Sequence, residues 1–132
     1  MGQSVFTDYR AYEEGNPFMA YNHIEIVDAD VNKTVVKVDL RHESKNLYGS
    51  AHGALMYGMV DCAAGITARS GGEAFVTLNS NINFLRNVSE GEIIASTEVI
   101  KRGRKVLFLH AEVRSESGKL LMDGSVSMMK TE

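Results

Sequence analysis

Asp61 is the one carboxylate in the stretch ALMYGMVDCAAGITA, residues 54–68, which holds no basic side chain. The apolar run predicts that Asp61 is buried. A buried carboxylate is either driven towards its neutral form or held ionised by a specific partner. Either state suits a general base or a nucleophile. The alternative is a structural acid satisfied by backbone amides, since such networks also hold buried carboxylates. Cys62 follows directly and invites a nucleophile reading, but nothing near it in sequence would stabilise a thiolate, so a small core residue is preferred. The four histidines, His23, His42, His52 and His110, show no ligand spacing, so no metal site is expected and no cofactor is implied. Arg102, Arg104 and Lys105 form a basic cluster that is either a solvated hairpin tip or a phosphate grip.

Several other chemistries find no support. There is no GxGxxG or Walker pattern and no serine in a G-x-S-x-G elbow. The formal charge of -3 over 132 residues gives no global attraction to nucleic acid or to an anionic membrane. No signal peptide or spanning segment is read: the N-terminus lacks a basic-then-apolar pattern, and the central run is short and carries Asp61. One cysteine cannot form an internal disulfide and fits a reducing compartment. A soluble, cytoplasmic protein is expected.

The elements that must position these residues can be read from patterning. With 44% hydrophobic and 23% charged residues, residues 1–132 are expected to form one domain with a sizeable core. An N-terminal helical lead, residues 1–20, contains a short helix over Thr7–Glu14 with Thr7 as cap and Gly15-Asn16-Pro17 as stop. Strands are predicted at Ile24–Ala29, Thr34–Leu40, Phe75–Leu85, Ile93–Ile100, Val106–Ser115 and Leu120–Met129. In the third of these, Val76, Leu78, Ile82 and Phe84 alternate with Thr77, Asn79, Asn81 and Asn83. That asparagine ladder reads as a dimer contact or a solvated face. The apolar run itself predicts one long helix. Strands in hairpin order around one helix indicate an α+β fold with an antiparallel sheet. A helix apolar nearly all round must be covered on more than one side. One sheet covers one side, so a homo-oligomer is expected.

Asn46, Gly49, His52-Gly53, Asp61 and the strand Val76-Thr-Leu-Asn-Ser-Asn-Ile-Asn-Phe-Leu-Arg86 resemble the phenylacetate-pathway (PaaI-like) acyl-CoA thioesterases of the hotdog fold. The resemblance runs from about Ile24 to the C-terminus. It implies a long helix wrapped by an antiparallel sheet, dimers with a continuous sheet, commonly dimers of dimers, and an acyl-CoA substrate. The family usually has a second glycine after His-Gly; here that position is Ala54, which bears on the width of the acyl slot.

Physical chemistry gives these residues roles beside the resemblance. A thioester carbonyl under attack becomes an oxyanion, which free amides at a helix N-terminus stabilise. Gly53 would lie at that terminus, and without a Cβ it allows close approach. Asp61 would activate water or attack directly. Eight residues of helix rise by about 12 Å, whereas a base and an oxyanion donor must both lie near the reacting carbon. One helix cannot supply both, so Asp61 of one subunit would serve Gly53 of another. By resemblance, Asn46 would orient water or the carbonyl, and Thr77 would hold water or Asp61. His52 would position the loop in preference to acting as a base. Arg102, Arg104, Lys105 and Arg86 would bind the CoA phosphates. Two other readings stay open. One is a hotdog dehydratase or hydratase, although no proline-rich histidine loop is present. The other is a non-catalytic acyl-CoA binding module.

Overall fold

The computed structural model describes residues 4–131. Two short helices, α1 (Tyr9–Gly15) and α2 (Pro17–Asn22), precede β1 (Glu25–Ala29) and β2 (Lys33–Asp39). The long helix α3 (Gly53–Arg69) follows, and then β3 (Phe75–Phe84), β4 (Glu92–Arg102), β5 (Val106–Ser115) and β6 (Leu120–Lys130). All pairings are antiparallel, and the strands lie in the order β1-β2-β4-β5-β6-β3. The expected α+β architecture, one antiparallel sheet against one long helix, is the one observed. No helix among the described residues is long and apolar enough to cross a membrane.

The N-terminal reading needs correction. One helix capped by Thr7 was expected, but Asp8 is the cap, accepting from the Ala11 N–H at 3.1 Å. Gly15-Asn16-Pro17 ends α1 and also begins a second helix. Asn16 Oδ1 accepts from the Met19 N–H, and Pro17 takes the first helical position, where its missing N–H costs nothing. The helical segment therefore extends to Asn22.

α3 lies against β2, β3, β4, β5 and β6. Leu55, Met56, Met59, Val60, Ala63 and Ile66 fill the space between helix and sheet, where they meet Val36, Ile93, Leu107, Leu109 and Met128. The rotation of α3 about its axis is fixed by a wholly buried hydroxyl cluster. Thr67 Oγ1 donates to Thr34 Oγ1 of β2 at 2.6 Å and lies 3.2 Å from Thr97 Oγ1 of β4. Breaking such a buried pair leaves an unsatisfied hydroxyl, at about 1–3 kcal/mol. With that rotation set, Ala54, Tyr57, Gly58 and Asp61 form the stripe turned away from the core, and none of them is buried.

The predicted alternation along β3 does not hold. A bulge between Thr77 and Asn79 shifts the register against β6. One extra residue inverts the facing of everything beyond it. Thr77 consequently shares the helix-facing side with Ser80, Ile82 and Phe84: Thr77 and Ser80 bond to side chains of α3, Ile82 packs on the core, and Phe84 abuts Gly53. Among the described residues β3 pairs with β6 alone and is therefore an edge strand, with Val76 and Leu78 about half exposed on it.

Candidate active site

The loop that delivers the chain to α3 is organised by Asn46. Its Oδ1 accepts from the backbone N–H groups of Tyr48 at 2.9 Å and Ser50 at 3.2 Å, while its own N–H donates to the Ser50 carbonyl. Gly49 completes the turn at φ +80°, a conformation that favours glycine. Asn46 Nδ2 has no partner among the described residues and is free to donate.

His52 is the N-cap of α3, with Nδ1 accepting from the Ala54 N–H at 3.0 Å. Its carbonyl accepts from Leu55 and Met56. Of the first-turn amides, Gly53 N–H alone has no partner among the described residues. Helix N-termini carry unsatisfied donors and partial positive charge, and here the cap narrows that potential to a single amide. Gly53 also sits close against a neighbouring ring. A Cβ there would stand 3.3 Å from Phe84 Cε1, so the ring of Phe84 and the Gly53 backbone meet directly.

Asp61 is not buried, contrary to expectation: in the single chain it is exposed on the open stripe of α3. The apolar run misled because its other members supply the burial, while position 61 falls on the face the sheet does not cover. It is not alone either. Thr77 Oγ1 donates to Asp61 Oδ1 at 2.6 Å, leaving Oδ2 without a partner among the described residues. Four residues earlier on the same stripe, the Tyr57 and Ser80 hydroxyls are hydrogen-bonded. Two hydroxyls of β3 thus hold the two polar side chains of the open stripe. A groove of about 460 Å³ runs along it, lined by Gly53, Ala54, Tyr57, Gly58, Asp61 and Phe84.

The neighbouring thiol is held in its neutral form. Burial, reinforced by the Asp61 charge, pushes Cys62 from 9.0 up to about 12, which agrees with the core-residue reading.

The four basic residues expected to act together are separated in one chain. Arg104 and Lys105 flank a cavity of about 550 Å³ at the β4–β5 hairpin, and Lys105 O accepts from Lys130 at the end of β6. Arg102 is turned aside, donating from Nη2 to the Val31 carbonyl. Arg86 follows the far end of β3 and donates to the Leu120 carbonyl at the start of β6. The hairpin and Arg86 therefore sit at opposite ends of β6.

Sequence reasoning missed Ser80 and Gly58. Ser80 was read as one more position in an alternating strand, and the bulge that aims it at Tyr57 leaves no sequence signal. Gly58 did carry one: a mid-helix glycine costs about 0.5–1 kcal/mol against alanine, so its presence points to a close approach. A Cβ at Gly58 would stand 2.8 Å from Phe18 Cζ.

A model of the Thioesterase superfamily matches residues 48–122, more than half of the chain. Among solved structures, the chain is similar to the E. coli PaaI protein from the phenylacetic acid degradation operon. The TM-score is 0.87 at 22% identity, over 93% of this chain and 90% of that one. It is similar to a hypothetical thioesterase of Streptococcus pneumoniae solved with coenzyme A, with a TM-score of 0.77 and 26% identity over 82% and 85% of the two chains. It also resembles smu.793 of Streptococcus mutans, solved bound to acetyl CoA, with a TM-score of 0.77 and 24% identity over 82% and 88%.

Proposed function

The chain belongs to the Thioesterase superfamily and is a thioester hydrolase with the hotdog fold; from this premise we propose that it cleaves an acyl-CoA at a site shared between two copies. The observation that carries the reading is the pairing of one unpartnered amide, Gly53 N–H, with one hydroxyl-held carboxylate, Asp61, on the same open stripe of α3. The two are eight residues apart, about 12 Å of helical rise. A single chain cannot bring both to one carbonyl.

The edge strand suggests how two chains do so. β3 has a free edge, and antiparallel pairing of two such edges about a two-fold axis extends the sheet. Gly53 packs on Phe84 at one end of β3, and Asp61 bonds Thr77 near the other. The two-fold brings the Phe84 end of one copy to the Thr77 end of its partner, so each Gly53 meets the partner's Asp61. It likewise brings Arg86 towards the partner's Arg104 and Lys105, gathering basic residues that one chain keeps apart. These would hold CoA phosphates, with Arg102 secondary because it is already engaged. The streptococcal structures that hold coenzyme A and acetyl CoA support this substrate class.

Asp61, with Oδ1 fixed by Thr77, takes a proton from water through Oδ2. The water oxygen bonds the thioester carbon, and the carbonyl oxygen becomes an oxyanion held by Gly53 N–H. Collapse breaks the C–S bond and expels the CoA thiolate, which takes the proton from Asp61 to become the thiol, leaving the free acid and the carboxylate restored. Asn46 Nδ2 orients the water or the carbonyl. Direct attack by Asp61 would give an anhydride that water then hydrolyses, using the same residues. His52 positions the helix start, and its engaged Nδ1 argues for that role. Thiol release measured over a panel of acyl-CoA esters tests the proposal, and no release from any of them would refute it.

A further inference from the structure

The groove along α3 does not end at Asp61. A second cavity, of about 290 Å³, shares Gly58 and Asp61 with it. Here Tyr12 and Phe18, from the N-terminal helices, face Gly58, Cys62 and Arg69 of α3. The two spaces meet at Gly58 and Asp61, and Phe18 stands over Gly58. The ring tip comes within 2.8 and 2.9 Å of where a Gly58 Cβ would be, and the side chain is still 49% exposed.

The walls are mixed: Phe18, Tyr12, Gly58 and Cys62 form the apolar part, and Asp61 marks the end where the thioester would sit. Asn16, which also lines the chamber, spends its Oδ1 on the Met19 N–H. Arg69 directs Nε and Nη2 to the Phe75 carbonyl at 3.3 and 3.1 Å. The Cys62 side chain is a neutral thiol, and Tyr12 packs edge-on against Phe6. The volume lies just below the usual range for ligand sites, roughly 300–1,000 Å³. A short acyl group fits such a space; a long fatty chain does not.

A thioester poised at Asp61 has two arms. In the shared site the CoA arm runs towards the basic residues of the β4–β5 hairpin, whereas the chamber leads away under α2. We propose that the chamber takes the tail of the acyl group, and that Phe18, seated on Gly58, sets the length it accepts. This rests on the thioesterase reading of Asp61. The N-terminal helical segment is then a wall of the substrate site: the acyl chain enters past Asp61, and Phe18, in contact with Gly58, bounds the space it can fill.

The test is the ratio of kcat/KM for decanoyl-CoA to that for butyryl-CoA. A pocket methylene is worth about 10–200-fold at most, so opening the chamber should move this ratio strongly. Phe18→Ala is expected to raise it by at least about tenfold and Phe18→Leu by a smaller factor in the same direction, with Val27→Ala, on exposed β1, as the unaffected control. If Phe18→Ala does not fold, Phe18→Leu decides alone. A ratio unchanged in the folded Phe18 variants, with wild type active, overturns the chamber and leaves the thioesterase reading standing. A wild type that cleaves neither ester nor any other acyl-CoA overturns both.

Discussion

Thr77 Oγ1 donates to Asp61 Oδ1 at 2.6 Å, across the gap between β3 and the open stripe of α3. A hydroxyl has one proton, so the carboxylate receives it and Met128 Sδ, 3.5 Å away, is left as a packing neighbour. The bond holds one carboxylate oxygen and leaves the other without a partner among the described residues. Thr77 is thereby a positioning residue for the proposed base.

Removing that bond without removing bulk tests the relationship. Thr77→Val should lower kcat by about tenfold, within the range that misplacing a catalytic group costs, with KM little changed. Thr77→Ser should restore most of the loss, because the hydroxyl returns. Equal kcat for the valine and serine variants would show that the bond does not serve turnover.

Asp61→Asn keeps the shape and the hydrogen bond from Thr77 but cannot take a proton. Turnover should fall by about 10²–10⁴-fold, while thermal stability and CoA binding, measured by calorimetry, stay close to wild type. A variant keeping more than a tenth of wild-type turnover would make Asp61 a structural acid.

Site sharing has its own test. Gly53→Val would drive a side chain into Phe84 and the carbonyl position, so it and Asp61→Asn should each be inactive alone. Co-refolded, half the dimers are mixed and half their sites are whole, so about a quarter of wild-type activity should return. Subunit exchange confirmed by mass, with no activity regained, would place each site within one chain.

His52 separates capping from catalysis. Asparagine at an N-cap accepts the same hydrogen bond, whereas alanine does not. His52→Ala should lose about 1 kcal/mol of stability and His52→Asn much less, both read by denaturant melts. If turnover instead collapses in His52→Asn with stability kept, the imidazole takes part in the chemistry.

Cys62 should resist alkylation. Its thiol is pushed from 9.0 up to about 12 by burial and by the Asp61 charge, and the thiolate is the reactive form. The iodoacetamide labelling rate of the folded protein should therefore keep rising through pH 10, where an unperturbed thiol levels off. A plateau near pH 9 would contradict the shift.

The sequence disclosed the strands, the long helix and the residues at its start, because apolar periodicity and turn chemistry are local signals. Gly53 could be placed at the helix N-terminus from the motif before it. The exposure of Asp61 could not be read, because the rotation of α3 is set by Thr67 meeting Thr34 and Thr97 from distant strands. Nor could the facing of Thr77, which depends on a bulge fixed by pairing with β6. The second helix was hidden by Gly15-Asn16-Pro17, whose residues stop one helix and start another equally well.

The strand order also dictates a sequence of events during synthesis. Among the described residues of one chain β3 pairs with β6 alone, so residues 75–84 leave the ribosome well before residues 120–130 exist. Chains emerge N-terminus first, and a strand with no neighbour cannot hold its bulge or aim Thr77. Asp61 on the nascent chain thus waits unsupported until the last strand docks. The hydroxyl that holds Asp61 is therefore in place only after β6 has joined β3.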